Sequence, residues 1–288
     1  MIALGFILGS VSVTSTSNAQ SRNDNRPTNT IRPGSTNGNS IKPATNAAKP
    51  VKHPLDKGDF KVGFSPITKL AGPKKDMPKD EKAVFQEIAT ALNELIAMPH
   101  DVYLNMDKCG SPNAFYNPNA SEITFCYELL EQYEAEFKTI EKNQAKVDAM
   151  VEDTLIQTLF HELGHCLIDV WELPTTGREE DAVDQLATIL MLDGSEEGQN
   201  STINAALEFE IASRDQDKGD MLFWDEHSFS KTRFYDMICL VYGSNPAQNE
   251  GMIGPDGLPE QRAIRCEEEY KRAERSWLKL LAPYLMTK

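Results

Sequence analysis

Residues 147–171 read as one long amphipathic helix, and near its end stands His161-Glu162-Leu163-Gly164-His165. With His161 at 0° and about 100° per residue, His165 falls at about 40° and Glu162 at about 100°. Leu159, Phe160, Leu163, Leu167 and Val170 fall roughly between 160° and 260° on the same wheel. One face therefore carries two imidazoles with a carboxylate beside them, and the opposite face is core. Tetrahedral zinc needs this arrangement: two nitrogen ligands one turn apart and a carboxylate near a fourth position left for water.

A third protein ligand is required. After a break at Pro174 and Gly177, a second helix is expected from about Arg178 to Leu192. It places Glu180 and Asp184 one turn apart on one face, Glu179 toward Val183, Leu186 and Leu190, and Asp181 toward Thr188. We expect Glu180 to join His161 and His165 in holding one zinc ion per chain. Asp184 is then placed to accept the outer N–H of a ligating histidine, which fixes the ring and raises its basicity. Glu179 and Asp181 stay open as alternatives, because carboxylates also favour a helix start for dipole reasons alone.

The rest of the chain reads as α+β. A helix over 80–97, capped by Asp80, precedes two strand-like runs at 101–106 and 122–126, and folded structure is expected to begin near Phe60-Lys61-Val62. Further helices are expected over about 127–142, 202–214, 229–242 and 260–281. The formal charge is −15, and it is divided: residues 20–58 carry +5 and residues 59–288 carry −20. An acidic domain of this kind lacks the Lys and Arg clusters that nucleic acid requires, so no nucleic-acid partner is expected.

Residues 1–19 read as an export signal: a short apolar stretch, too short to span a bilayer, followed by Ser17-Asn18-Ala19. Residues 20–58, rich in Asn, Ser, Thr, Pro and Lys, read as a disordered linker, leaving 59–288 as the folded domain. Cysteine usage suits export to a periplasmic or secreted location. Cys109 and Cys126 bracket a turn-rich stretch, Cys239 and Cys266 bracket a Gly/Pro loop, and Cys166 is left over. Local pairing as 109–126 and 239–266 is expected, although four cysteines admit three connectivities. Cys166 is read as a buried small residue.

H-E-x-x-H on one helix and E-x-x-x-D on the next resembles the gluzincin arrangement of thermolysin-like zinc peptidases. The longer run from His161 through Leu173-Pro174, Gly177-Arg178-Glu179-Glu180-Asp181-Ala182 and Asp184-Gln185-Leu186-Ala187 is similar to a bacterial family of H-E-x-x-H metallopeptidases over about residues 60–285. The resemblance implies a zincin-like fold, with a small N-terminal sheet packed on the H-E-x-x-H helix and a mostly helical C-terminal part. It implies a peptide or protein substrate. Asn113-Ala114-Phe115-Tyr116 resembles the edge strand on which thermolysin-like enzymes pair with extended peptide; a turn that packs its aromatic inward is the alternative. By the same analogy His227, in Asp225-Glu226-His227, is a candidate to stabilise the oxyanion, with Arg233 and Tyr235 nearby. A local hydrogen bond of His227 to its own acidic flank is the other reading. His53 and His100 are read as bystanders.

The expected function is an exported zinc-dependent metallopeptidase in which zinc activates water and Glu162 takes its proton as general base. Two alternatives remain at this point: a zinc hydrolase of a non-peptide amide or ester, and a zinc-binding module without activity. An intact Glu162 weighs against the second, because a scaffold needs ligands and no base. Oligomeric state is not legible.

Overall fold

The long α4, Gln144–Trp171, organises the molecule. At 28 residues it is about 42 Å long. Asn143 starts it by accepting the N–H of Lys146 on its side chain. Glu172 ends it in the left-handed conformation at φ 48°, while the N–H of Leu173 closes on the carbonyl of Ile168 just before Pro174. These features belong to a computed structural model that describes residues 53–72, 74–75, 77–215, 225–254 and 257–286. The expected export signal, and the expected linker as far as residue 52, lie outside the described residues.

The strands β1 (Phe60–Val62), β2 (Val102–Asp107), β3 (Ala114–Asn117) and β4 (Glu122–Cys126) form one sheet in the order β1-β2-β4-β3. β1, β2 and β4 run parallel, and β3 turns back antiparallel to β4 with Ala114 opposite Phe125 and Asn117 opposite Glu122. The segment at 114–117 is thus an edge strand, with Phe115 exposed and Tyr116 half-buried. The parallel step from β1 to β2 needs a crossover. It is supplied by the short α1 (Pro66–Leu70) and by α2 (Lys79–Leu95), whose N-cap is Pro78; Asp80 lies inside the first turn and is not the cap.

The remaining helices are α3 (Tyr127–Phe137), α5 (Glu179–Met191), α6 (Glu196–Asp215), α7 (Ser230–Ser244) and α8 (Glu260–Leu281). α4 packs against α3, α5, α6 and the strands β3 and β4, while α7 is sandwiched among α5, α6 and α8. Leu163, Leu167, Leu186 and Met237 are fully enclosed where these helices meet. Each such side chain contributes about 2 kcal/mol by leaving water. α3 stops five residues short of the expected 142, where Lys138, Thr139 and Ile140 turn before Asn143 caps the next helix.

Order begins before the expected boundary at 59. The N–H groups of Lys57 and Gly58 both donate to the carbonyl of Met98. A side chain at position 58 would run into the backbone of His100, so only glycine fits. The disulfides Cys109–Cys126 and Cys239–Cys266 are formed, and Cys166 is free and buried. Among the described residues, no helix is long and apolar enough to cross a membrane.

Candidate metal centre

Gly164, inside the H-E-x-x-H run, lets α5 come close. A Cβ there would lie 2.7 Å from Cγ1 of Val183 on α5, closer than side chains pack. A glycine in mid-helix costs about 1 kcal/mol relative to alanine, and here it allows the close approach of two helices. That approach carries the carboxylates of α5 to the imidazoles of α4.

Four groups converge. His161 Nε2 lies 3.3 Å from His165 Nε2 and 3.1 Å from Glu180 Oε2, and His165 Nε2 lies 3.4 Å from Glu180 Oε1. His227 adds its Nε2 at 3.0 Å from the same Glu180 Oε2, its ring stacked 6.2 Å from that of His161. His161, Glu180 and His227 each present one atom within 4.8 Å of the others, a set able to hold a metal ion. The outer nitrogens are held too. His161 Nδ1 meets Asp184 Oδ1 at 2.7 Å, and His165 Nδ1 meets Glu179 Oε1 at 2.8 Å. Each Nδ1 faces a carboxylate and so donates, so that in the neutral rings both Nε2 atoms turn their lone pairs toward each other.

Two facing lone pairs at 3.3 Å repel unless a proton or a metal cation lies between them. Zinc–nitrogen bonds of about 2.0–2.1 Å in a tetrahedron put ligand atoms about 3.3 Å apart, the spacing of the two Nε2 atoms and close to that of each from one oxygen of the Glu180 carboxylate, Oε2 for His161 and Oε1 for His165. Glu180 Oε2 is buried and receives no well-directed hydrogen bond despite its two close imidazoles. The residues therefore fit a zinc ion.

Charge follows the same logic. Burial opposes protonation of His161, but its hydrogen bond to Asp184 and its close contact with the Glu180 carboxylate push its pKa up to about 9. The His165 pKa is also raised, by Glu180 and Glu179 against burial. Burial works against the charge on Glu180, yet the three imidazoles around it hold its carboxyl far below the usual range. Asp184 is likewise held low in spite of burial, chiefly by Arg233 and His161. Metal-free, the cluster holds protons where a divalent cation would sit.

Glu162 is buried beside the two histidines, one residue after His161 and three before His165 on α4. Burial raises its pKa, and the positive charge of His161 and His165 and a backbone hydrogen bond from Tyr116 on the edge strand pull the other way. The base candidate and the edge strand are thus neighbours.

Other expectations resolve differently. Glu179 does not face the apolar side of α5. It is the first residue of that helix and turns to His165, which spacing along the helix axis did not reveal. Asp181 accepts from Ser228 Oγ at 2.7 Å and ties down the segment that carries His227. Asp225 accepts from the His227 backbone N–H at 2.8 Å and faces its Nδ1 at 3.3 Å. Arg233 is committed to Asp184, and Tyr235 packs against Phe234 beneath Lys231. His100 pairs with Ser121, on a sheet loop. Cys166 is enclosed immediately after His165, where burial pushes its thiol up.

No curated protein and no solved structure matches the chain. A family model does: residues 74–281 match the family described as "Putative metallopeptidase", and the chain belongs to that metallopeptidase family.

Proposed function

We propose that the protein is an exported zinc-dependent peptidase of gluzincin type, with zinc held by His161, His165 and Glu180. Membership of a metallopeptidase family supports a hydrolase of peptide bonds that uses a metal. The observation that carries the finer reading is the tetrahedral spacing of two Nε2 atoms and one carboxylate, with Glu162 beside them. When bound, zinc polarises a scissile carbonyl and makes water more acidic.

The chain's own residues do the rest. Glu162, with its proton affinity raised by burial, takes the proton from water and passes it to the leaving amine. The outer edge of β3 pairs with an extended substrate and lays it along the cleft next to Glu162. Asp225 orients His227 so that its Nε2 faces the centre, where an N–H steadies developing negative charge on the carbonyl oxygen. Asp184 and Glu179 fix the rings of His161 and His165.

One observation favours a second reading for His227. Its Nε2 is as close to Glu180 as that of His161, so it could complete a closed four-donor site. A closed site holds metal without catalysis.

Metal analysis of the purified protein together with digestion of a proteome-derived peptide library tests the proposal. The expected result is about one zinc per chain and cleavage of peptides, abolished in Glu162→Gln with zinc retained. Zinc retained in both His161→Ala and His165→Ala would end it, as would full activity in Glu162→Gln.

A further inference from the structure

Away from the metal centre, the structure has a groove of about 1450 Å³ between α2, α4, the start of α3 and the start of α6. None of His161, Glu162, His165, Glu180, Asp184 and His227 lines it. Its floor is aliphatic and aromatic: Val84, Phe85 and Ile88 from α2 face Val151, Leu155 and Ile156 from α4, all only half-buried. α2 packs on β1 and β2 but not closely on α4, which leaves this flank of it uncovered.

The rim is of one sign. Nine carboxylates line the groove, among them Glu131, Glu152, Asp153 and Glu197, and no Lys, Arg or His does. Lys138 pairs with Glu134 from outside. Burial raises the pKa of Glu152 and of Asp153, and each also feels a neighbouring carboxylate, Asp153 and Glu197 respectively. Carboxylates that resist ionisation beside an apolar floor are relieved by an incoming cation.

We infer that this groove receives a cationic amphipathic helix of a partner polypeptide, with its apolar face between α2 and α4 and its lysines or arginines over the rim. The dimensions agree. A helix with its side chains is about 10 Å across, so the groove volume accommodates about three turns, enough for anchors at i, i+3, i+4 and i+7. A second copy of this chain, at −15, meets like charge, and an anionic lipid surface is repelled in the same way. The chain's own residues 20–52 have the right charge but offer only Ile31, Ile41 and Val51 as large apolar side chains, interrupted by prolines.

Fluorescence anisotropy with labelled model peptides of about twelve residues tests this, using the full chain carrying Glu162→Gln so that no probe is cut. The probes are a Lys/Leu amphipathic helix, a Glu/Leu helix of the same pattern, a scrambled Lys/Leu sequence, and the 20–52 peptide as competitor. The Lys/Leu helix is expected to bind, and the Glu131→Lys, Glu152→Lys double variant to weaken it about tenfold or more. Ile88→Asp is expected to act in the same direction; both glutamates are exposed, so the charge variant stands if the apolar one fails to fold. Absence of binding, equal binding of the scrambled peptide, indifference to the glutamate variants, or displacement by the 20–52 peptide would each overturn the inference.

Discussion

Arg233 holds Asp184 with two nitrogens, Nε at 2.6 Å from Oδ2 and Nη2 at 2.7 Å from Oδ1, and Oδ1 also meets His161 Nδ1. The guanidinium is stacked over Phe209 at 4.1 Å, so it is fixed from both sides. Arginine is thus the outer support of the His161 ring and is not free to face a substrate oxygen.

Removing that support should loosen the metal before it touches the fold. Arg233→Gln leaves Asp184 without its fork, and zinc affinity should fall by about 10–100-fold, as outer-layer changes around metal ligands do. Asp184→Asn should behave alike, Glu179→Gln should act through His165, and Glu180→Gln should be the most damaging of the set. Competition titration against a chelator ranks them; a silent Glu180→Gln would overturn its assignment.

The two roles for His227 separate on one variant. If it steadies the oxyanion, His227→Asn keeps zinc affinity and lowers kcat by about 10²–10³-fold, the scale of losing one such donor. If it is a ligand, affinity falls and turnover per bound zinc does not. Chelator titration and steady-state kinetics on the same preparation decide.

Gly164→Ala should be destabilising even though alanine favours helices by about 1 kcal/mol over glycine. The added methyl would sit 2.7 Å from Val183 Cγ1 and push α5 outward, carrying Glu180 and Asp184 with it. Zinc affinity and melting temperature should fall together, and Val183→Ala in the same chain should restore part of both.

Glu208 should make stability fall as pH rises. It is buried, and burial together with the charge of Glu136 pushes its pKa up to about 8 from an ordinary 4.5. Between those values the folded chain binds more protons than the unfolded chain, so its share of stability is present in acid, lost on the way to pH 8 and constant above. Glu208→Gln should therefore stabilise the protein more at pH 8 than at pH 5 in denaturant titrations.

The sequence exposes what local periodicity encodes. α4 and its two histidines follow from an apolar stripe of 3.6-residue period, and the common face of Glu180 and Asp184 follows from their spacing. Glu179 was hidden because a first-turn side chain has no preceding turn to confine it. The Arg233–Asp184 fork joins residues 49 apart, and nothing local to either announces the other. The bridge of Gly58 to Met98 is equally non-local. The first turns of α6, Glu196-Glu197-Gly198-Gln199-Asn200-Ser201, carry no apolar stripe, so the expected start at 202 came six residues late.

The Cys109–Cys126 bond closes a ring that contains all of β3 and the turn leading into β4. Exposed loops are where a protease nicks a folded chain, and residues 108–113 are of that kind. One cut anywhere inside the ring leaves two ends that are still joined through sulfur, with β3 still hydrogen-bonded to β4. The edge that lies beside Glu162 can therefore lose a backbone bond and remain attached to the molecule.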